Sequence, residues 1–175
     1  MGFSHKGQAS VQVQGGIGFR GLFPYDGEFC GDLKDEGGNK ANCVGRRPFA
    51  LDLGVGYGIA KSLEVFAEFR FGLERDFGTS PSDSGPRVVV FSPGLKLYIA
   101  EVGAAMFFST LQLPIDFTAY DQVDKTDIGV RNINGFQLDV NRSFGMFLFF
   151  GETVTWRRWL GFEVEAGLGV QARFL

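Results

Sequence analysis

The stretch LGFEVEAGLGVQARF, residues 160–174, alternates without a fault. Leu160, Phe162, Val164, Ala166, Leu168, Val170, Ala172 and Phe174 fall on one parity, and Gly161, Glu163, Glu165, Gly167, Gly169, Gln171 and Arg173 on the other. A period of two means an extended strand with one apolar and one polar face, because successive side chains of a strand point to opposite sides. The run is longer than the ~9–11 residues that a tilted strand needs to cross a bilayer, so it predicts a transmembrane strand.

Working back from this end, the same pattern recurs seven times. Ala9 to Leu22 carries Val11, Val13, Ile17 and Phe19 on one parity; Phe49 to Ile59, Leu63 to Leu73, Val88 to Ile99 and Ala105 to Ala119 each alternate in the same way. The sixth strand is less regular: Ile128 and Val130 give way to Asn132 and Asn134 before Phe136, Leu138 and Val140 restore the pattern, which predicts a bulge near Gly135. The seventh runs through Phe147 and Phe149 with Glu152 on the opposite parity. Connections alternate: short at 60–62, 100–103 and 141–143, longer at 23–47, 76–86 and 120–127, with 157–159 on the same side as the long ones. Eight strands with this rhythm predict an all-β, eight-stranded antiparallel up-and-down transmembrane β-barrel. Residues 1–8 read as a flexible N-terminus, and 9–174 as one barrel domain with an extracellular loop 1 at 23–47.

Composition agrees. The 175 residues include 20 Phe and 26 Gly, and no apolar run approaches the length of a membrane helix. A net charge of −3 excludes the basic stripe of a nucleic-acid partner. Residues 1–7 show neither the charged nor the apolar region of a signal peptide and read as the start of a mature chain. Cys30 and Cys43, in a Gly- and Asp-rich loop, read as a disulfide of an oxidising compartment.

The faces are assigned by glycine. Gly54, Gly56, Gly58, Gly72, Gly161, Gly167 and Gly169 share their parity with charged residues. Inside a narrow barrel small residues make room for long ones, whereas on a wet outer surface they would only weaken the strand. The apolar parity then faces lipid, and a soluble lipocalin-like barrel binding a ligand in an apolar lumen is the weaker alternative. The lumen is expected to hold a charge network of Asp52, Glu64, Glu68, Arg70, Glu74, Lys96, Asp116, Asp139, Glu152, Glu163, Glu165 and Arg173, ion-paired and hydrated because isolated charges are too costly there. Acids outnumber bases in this set. Trp156, Trp159, Tyr25, Phe23 and Phe77 are placed for an aromatic girdle.

The pattern resembles the small eight-stranded bacterial outer-membrane β-barrels of OmpA and OmpX type over residues 9–174. The last strand looks like their C-terminal assembly signal, with Phe174 as closing aromatic, although Leu175 follows it. The resemblance implies an outer-membrane location with periplasmic termini, surrounding lipid and lipopolysaccharide, and insertion by the outer-membrane assembly machinery.

Chemistry is read mostly by exclusion. His5 is the only histidine, so no Ser/His/acid constellation can be built, and the pairs Glu163/Glu165 and Glu64/Glu68 have only the spacing that alternation gives any two lumen carboxylates. Asp32, Asp35, Glu36 and Asn39 lack the spacing of a calcium loop. No catalytic residue, metal or cofactor is assigned. Pro93 and Pro114 would each remove a ladder hydrogen bond and mark a possible seam, through which apolar molecules could reach the lumen. The expected function is a non-enzymatic scaffold displaying loops, loop 1 foremost, to a protein, polysaccharide or host surface; the alternative is a small pore or lateral conduit for ions or apolar molecules.

Overall fold

The computed structural model describes residues 5–25, 42–76, 85–103, 105–120 and 126–174. Ten strands follow in order: β1 Ala9–Pro24, β2 Cys43–Arg46, β3 Ala50–Ala60, β4 Leu63–Arg75, β5 Arg87–Val102, β6 Ala105–Gln112, β7 Ile115–Asp116, β8 Asp127–Asn141, β9 Phe144–Thr155 and β10 Trp159–Phe174. They make eight staves, because two staves are interrupted. Both β2 and β3 pair with β1, at Leu22–Phe19 and Gly16–Ala9 respectively. Likewise β6 and β7 both lie between β5 and β8. Each interruption contains a proline, Pro48 in the first and Pro114 in the second. Proline has no N–H to give a ladder, so the ladder stops there.

All pairings are antiparallel, and β10 closes on β1 in unbroken register from Ala9↔Phe174 to Pro24↔Trp159. The staves β10, β9, β8, β6, β5, β4, β3 and β1 therefore form a closed ring, as a sheet in hydrocarbon requires. No helix occurs among the described residues. The bulky side chains point out: Ile17 is 68% exposed, Phe19 66% and Leu168 64%, while Gln12, Gln14, Asp52, Glu68 and Gln171 are buried inside. An apolar surface of this extent is a lipid surface. The lipocalin-like alternative, which needs the apolar parity inside, is thereby excluded.

Four expectations about the strands and loop 1 require correction. First, β8 has no bulge at Gly135. Its ladders to β6 and β9 run through that residue unshifted, and Asp127, Gly129, Arg131, Ile133, Gly135, Gln137 and Asp139 all face inward. Asn132 and Asn134 thus lie on the outer face. Second, β9 has the opposite parity: Phe147 and Phe149 are buried in the lumen and Glu152 is exposed on the outer face. Third, Glu74 lies outside. The ladder between β4 and β5 shifts after Phe71, and the N–H groups of Leu73 and Glu74 both reach the Phe49 carbonyl, at 2.9 and 3.2 Å. That bulge turns the Glu74 carboxylate outward to accept from Arg46 at 2.7 Å and from the Phe49 N–H at 2.9 Å. Fourth, loop 1 is shorter than residues 23–47. β1 continues to Pro24 and β2 begins at Cys43; Cys30, and with it the expected Cys30–Cys43 pairing, lies outside the described residues. Phe77 does so too, as do Asp32, Asp35, Glu36 and Asn39.

Candidate functional site

The lumen is stacked in three layers between the turn end, where Ala9 and Phe174 meet, and the loop end. Glycine sets its shape. Gly167 and Gly169 on β10 stand directly across from Phe149 and Phe147 on β9, and a Cβ at Gly169 would come within 2.1 Å of the Phe147 ring. Gly135 likewise faces the Phe108 ring. The rings therefore lie against bare backbone, where they fill the bore.

At mid-height Arg131 is the hub. Its guanidinium donates to Glu68 and Glu165 in close ion pairs, to Asp52 at 3.2 Å and to Gln112 at 3.1 Å. Arg70 grips Asp52 with two bonds, 2.7 and 2.8 Å, and donates to Glu165 at 3.1 Å. Arg47, turned inward by the break between β2 and β3, adds a 2.6 Å contact to Glu165. Gln14 donates to Glu68 at 2.8 Å and to Asp52 at 3.2 Å. Three carboxylates from β3, β4 and β10 thus meet three guanidiniums, which is the pairing that buried charge requires. The expected excess of acid shrinks because Glu74 and Glu152 lie outside and because Arg47 and Arg131, which the sequence reading did not place inside, belong to the lumen, as do Arg20 and Arg158.

Toward the turn end, Glu64 accepts from Ser10 in a close contact and from the Tyr98 hydroxyl at 2.9 Å. Arg173 donates to Asp139 at 2.9 Å, Gln137 to Asp139 at 2.8 Å, and Lys96 to the Gln137 oxygen at 3.0 Å. The Lys96 ammonium also lies 4.4 Å from the centre of the Phe108 ring, with Tyr98 and Phe147 beside it, a cation–π cage filled by the protein's own lysine. Met106, Phe108, Ile133, Tyr98, Phe147 and Phe149 form an apolar wall.

His5 closes this mouth. It is 2% exposed, with its ring 4.6 Å from Tyr98 and Nε2 3.3 Å from the Met106 sulfur. Gly7 donates to the Gly58 carbonyl at 2.7 Å and Gly58 to that of Gln8 at 2.9 Å, so residues 5–8 are a hook and not part of a loose tail; residues 1–4 lie outside the described residues. A Cβ at Gly58 would fall 1.9 Å from the His5 carbonyl oxygen. Gly58→Ala is therefore expected to eject the hook and leave the barrel closed: amide exchange at Gly7 should rise by an order of magnitude while the folded band on unheated gels persists. Unchanged protection at Gly7 would contradict the hook.

At the loop end Arg20 pairs with Asp76, which also accepts from Tyr120 at 2.5 Å, and Arg158 reaches Asp116 at 3.3 Å. Trp159, expected in the girdle, is instead 2% exposed and packs on Leu22 and Tyr120 inside; Trp156, Tyr25 and Phe23 are exposed at the outer rim. A cavity of about 60 Å³ lies between Arg20, Arg47, Arg70, Asp76, Arg131 and Glu163, above the central ion cluster. The arrangement can hold water and fixed charge. Glu165 is clamped by guanidiniums and Glu64 by hydroxyls and Gln171, so neither carboxylate pair is poised as acid and base. Among the described residues no group of His, Cys, Asp and Glu converges to hold a metal ion.

Pro93 and Pro114 come together at one place, the break between β6 and β7. It is stitched by backbone bonds from Leu113 to the Pro93 carbonyl at 2.9 Å and from Gly129 to that of Pro114 at 3.0 Å.

Comparison with solved structures places this architecture. The N-terminal β-barrel domain of Pseudomonas aeruginosa OprF superposes with a TM-score of 0.60 at 14% identity, over 97% of this chain and 100% of that one. It is a small outer-membrane barrel of eight strands. This chain has that fold. Neisserial surface protein A shares the barrel at a TM-score of 0.59 and 13% identity over 97% and 100% of the two chains. Ail, the attachment invasion locus protein of Yersinia pestis, shares it at 0.53 and 13% over 97% and 99%. No protein-family model matches the sequence, and no curated protein sequence does. At these identities the outer-membrane barrels show the architecture, and the residues filling this lumen are the chain's own.

Proposed function

We propose that this outer-membrane barrel is a non-catalytic scaffold of a bacterial outer membrane, with termini and short turns toward the periplasm and its long loops displayed outside. Loop 1 is the principal contact for a protein, a surface polysaccharide or a host molecule, and a Cys30–Cys43 disulfide would staple it. Lipid and lipopolysaccharide surround the barrel, and Phe174 serves the assembly machinery.

One observation carries the scaffold reading: the lumen is filled at mid-height by the Arg131 cluster and below it by the aromatic wall and the His5 hook. A bore filled in this way gives the loops a rigid base. The names of two similar barrels, a surface protein and an attachment invasion locus protein, fit a role at the cell surface. The test is conductance of the refolded protein in planar bilayers. No reproducible steps are expected; steps of defined size would favour the alternative, a small conduit, with Pro93 and Pro114 as the place to look for a lateral opening.

A further inference from the structure

One wall of the barrel breaks the rule that its outer face is apolar. Asn132 and Asn134 on β8, Ser109 on β6 and Glu152 on β9 all face outward, and they adjoin one another: Ser109 pairs with Asn134 across the β6–β8 ladder, and Asn132 with Glu152 across the β8–β9 ladder. They lie within the apolar band, not at its margin. On β8 they have Ile128 and Val130 on the loop side and Phe136, Leu138 and Val140 on the turn side; on β9 Glu152 has Val154 above it and Leu148 and Phe150 below. The staves β1, β3, β4, β5 and β10 present only apolar or small residues at these depths among the described residues.

The group is half satisfied. Asn132 donates to the Thr110 carbonyl at 2.8 Å and to the Ser109 hydroxyl at 3.3 Å, and its oxygen accepts from Asn134 at 2.5 Å. One N–H and the amide oxygen of Asn134, the Ser109 hydroxyl hydrogen and both oxygens of Glu152 have no partner among the described residues. Acyl chains offer no donor or acceptor, so polar groups at this depth face a protein surface that completes them, or they destabilise the barrel. The missing complement is itself mixed, donors for Glu152 and both kinds for Asn134. This stripe supplies that mixture. An amide with one N–H and its oxygen free is its own complement, and copies inserted in the same sense are related by a two-fold axis along the membrane normal, which sets like depths face to face.

We propose that the wall formed by β6, β8 and β9 is a docking surface for a second copy of this chain, with the amides of Asn134 paired across the two-fold axis and Glu152 accepting from the hydroxyl of the partner's Ser109. Phe136, Leu148 and Phe150, exposed around the stripe, and the half-buried Phe107 supply the apolar contact that surrounds the polar centre.

The test places a photo-crosslinking benzoylphenylalanine at position 150 beside the stripe, or at position 69 on β4 of the opposite wall, in otherwise unaltered protein reconstituted in liposomes of bacterial lipid. Position 150 should give cross-linked dimer at least tenfold above position 69. The double variant Asn134→Leu, Glu152→Leu, checked for folding by its band on unheated gels, should lose that dimer, and Glu152→Gln, which keeps the hydrogen bonds, should retain it. Equal yields at the two positions, a cross-link to lipid instead of protein, or undiminished dimer in the double leucine variant would overturn the proposal. If the double variant does not fold, the comparison of positions 150 and 69 decides alone.

Discussion

Arg131→Leu is expected to destabilise the barrel by about 3–5 kcal/mol, the cost of leaving buried charges without their partner. Glu68, Glu165 and Asp52 all accept from this guanidinium, and each is at most 2% exposed. Arg70 and Arg47 remain to hold Asp52 and Glu165, but Arg131 is the nearest cation to Glu68, which would be left with Gln12 and Gln14. The effect comes from breaking the network; exchanging the entire cluster for apolar residues of equal volume would cost far less. Urea unfolding of the protein refolded in vesicles measures it, with Arg142→Leu, at the exposed turn between β8 and β9, as a control that should stay within about 0.5 kcal/mol of the parent. A loss below 1 kcal/mol for Arg131→Leu would show that the cluster adds little to the stability of the closed barrel.

Gly169→Ala should cost about 1–3 kcal/mol, because the new methyl group overlaps the Phe147 ring and a packed bore has nowhere to move it. The same contact gives the prediction its signature. Phe147→Leu removes the ring that collides, so the double variant should be more stable than the sum of the two single changes by 1 kcal/mol or more, on the order of the coupling seen for residues in direct contact. Additive losses would mean that the glycine is needed for backbone reasons alone. Gly45, where a Cβ would meet nothing within 4 Å, is the neutral comparison.

These two sites mark what was legible in the sequence and what was not. The number of staves, their order and the outward direction of the apolar parity followed from alternation alone, since β1, β3, β4, β5 and β10 each carry one clean apolar face. β9 does not. Met146 to Phe150 is apolar on both parities, and Glu152 reads as a mark of the lumen although it belongs to the outer face. The signal that resolves β9 was present: Gly145 and Gly151 share a parity with Phe147 and Phe149, and on β3 and β10 glycine already marked the inside. The same rule applied to Gly129 and Gly135 would have placed Arg131 in the lumen and the asparagines outside without a bulge. Periodicity hides the hub because the two asparagines read as a fault in the strand. Arg47 was hidden for a different reason, because it enters from a break at Pro48 that strand periodicity does not register. The Glu74 bulge is likewise invisible, since it depends on two N–H groups choosing one carbonyl.

The ladder between β1 and β10 is as long and as regular as those that join neighbours in sequence. The peptide chain is therefore linear in its covalent bonds but cyclic in its hydrogen bonds, and nothing in the sheet distinguishes the stave where the polypeptide starts from any other. Ala9 and Phe174 are partners across that ladder, close enough for a short linker to join them, and the turns at 61–62 and 142–143 are natural places to open a new start. What the barrel asks of its sequence is the cyclic order of its staves; where that circle is cut is a matter for synthesis and insertion.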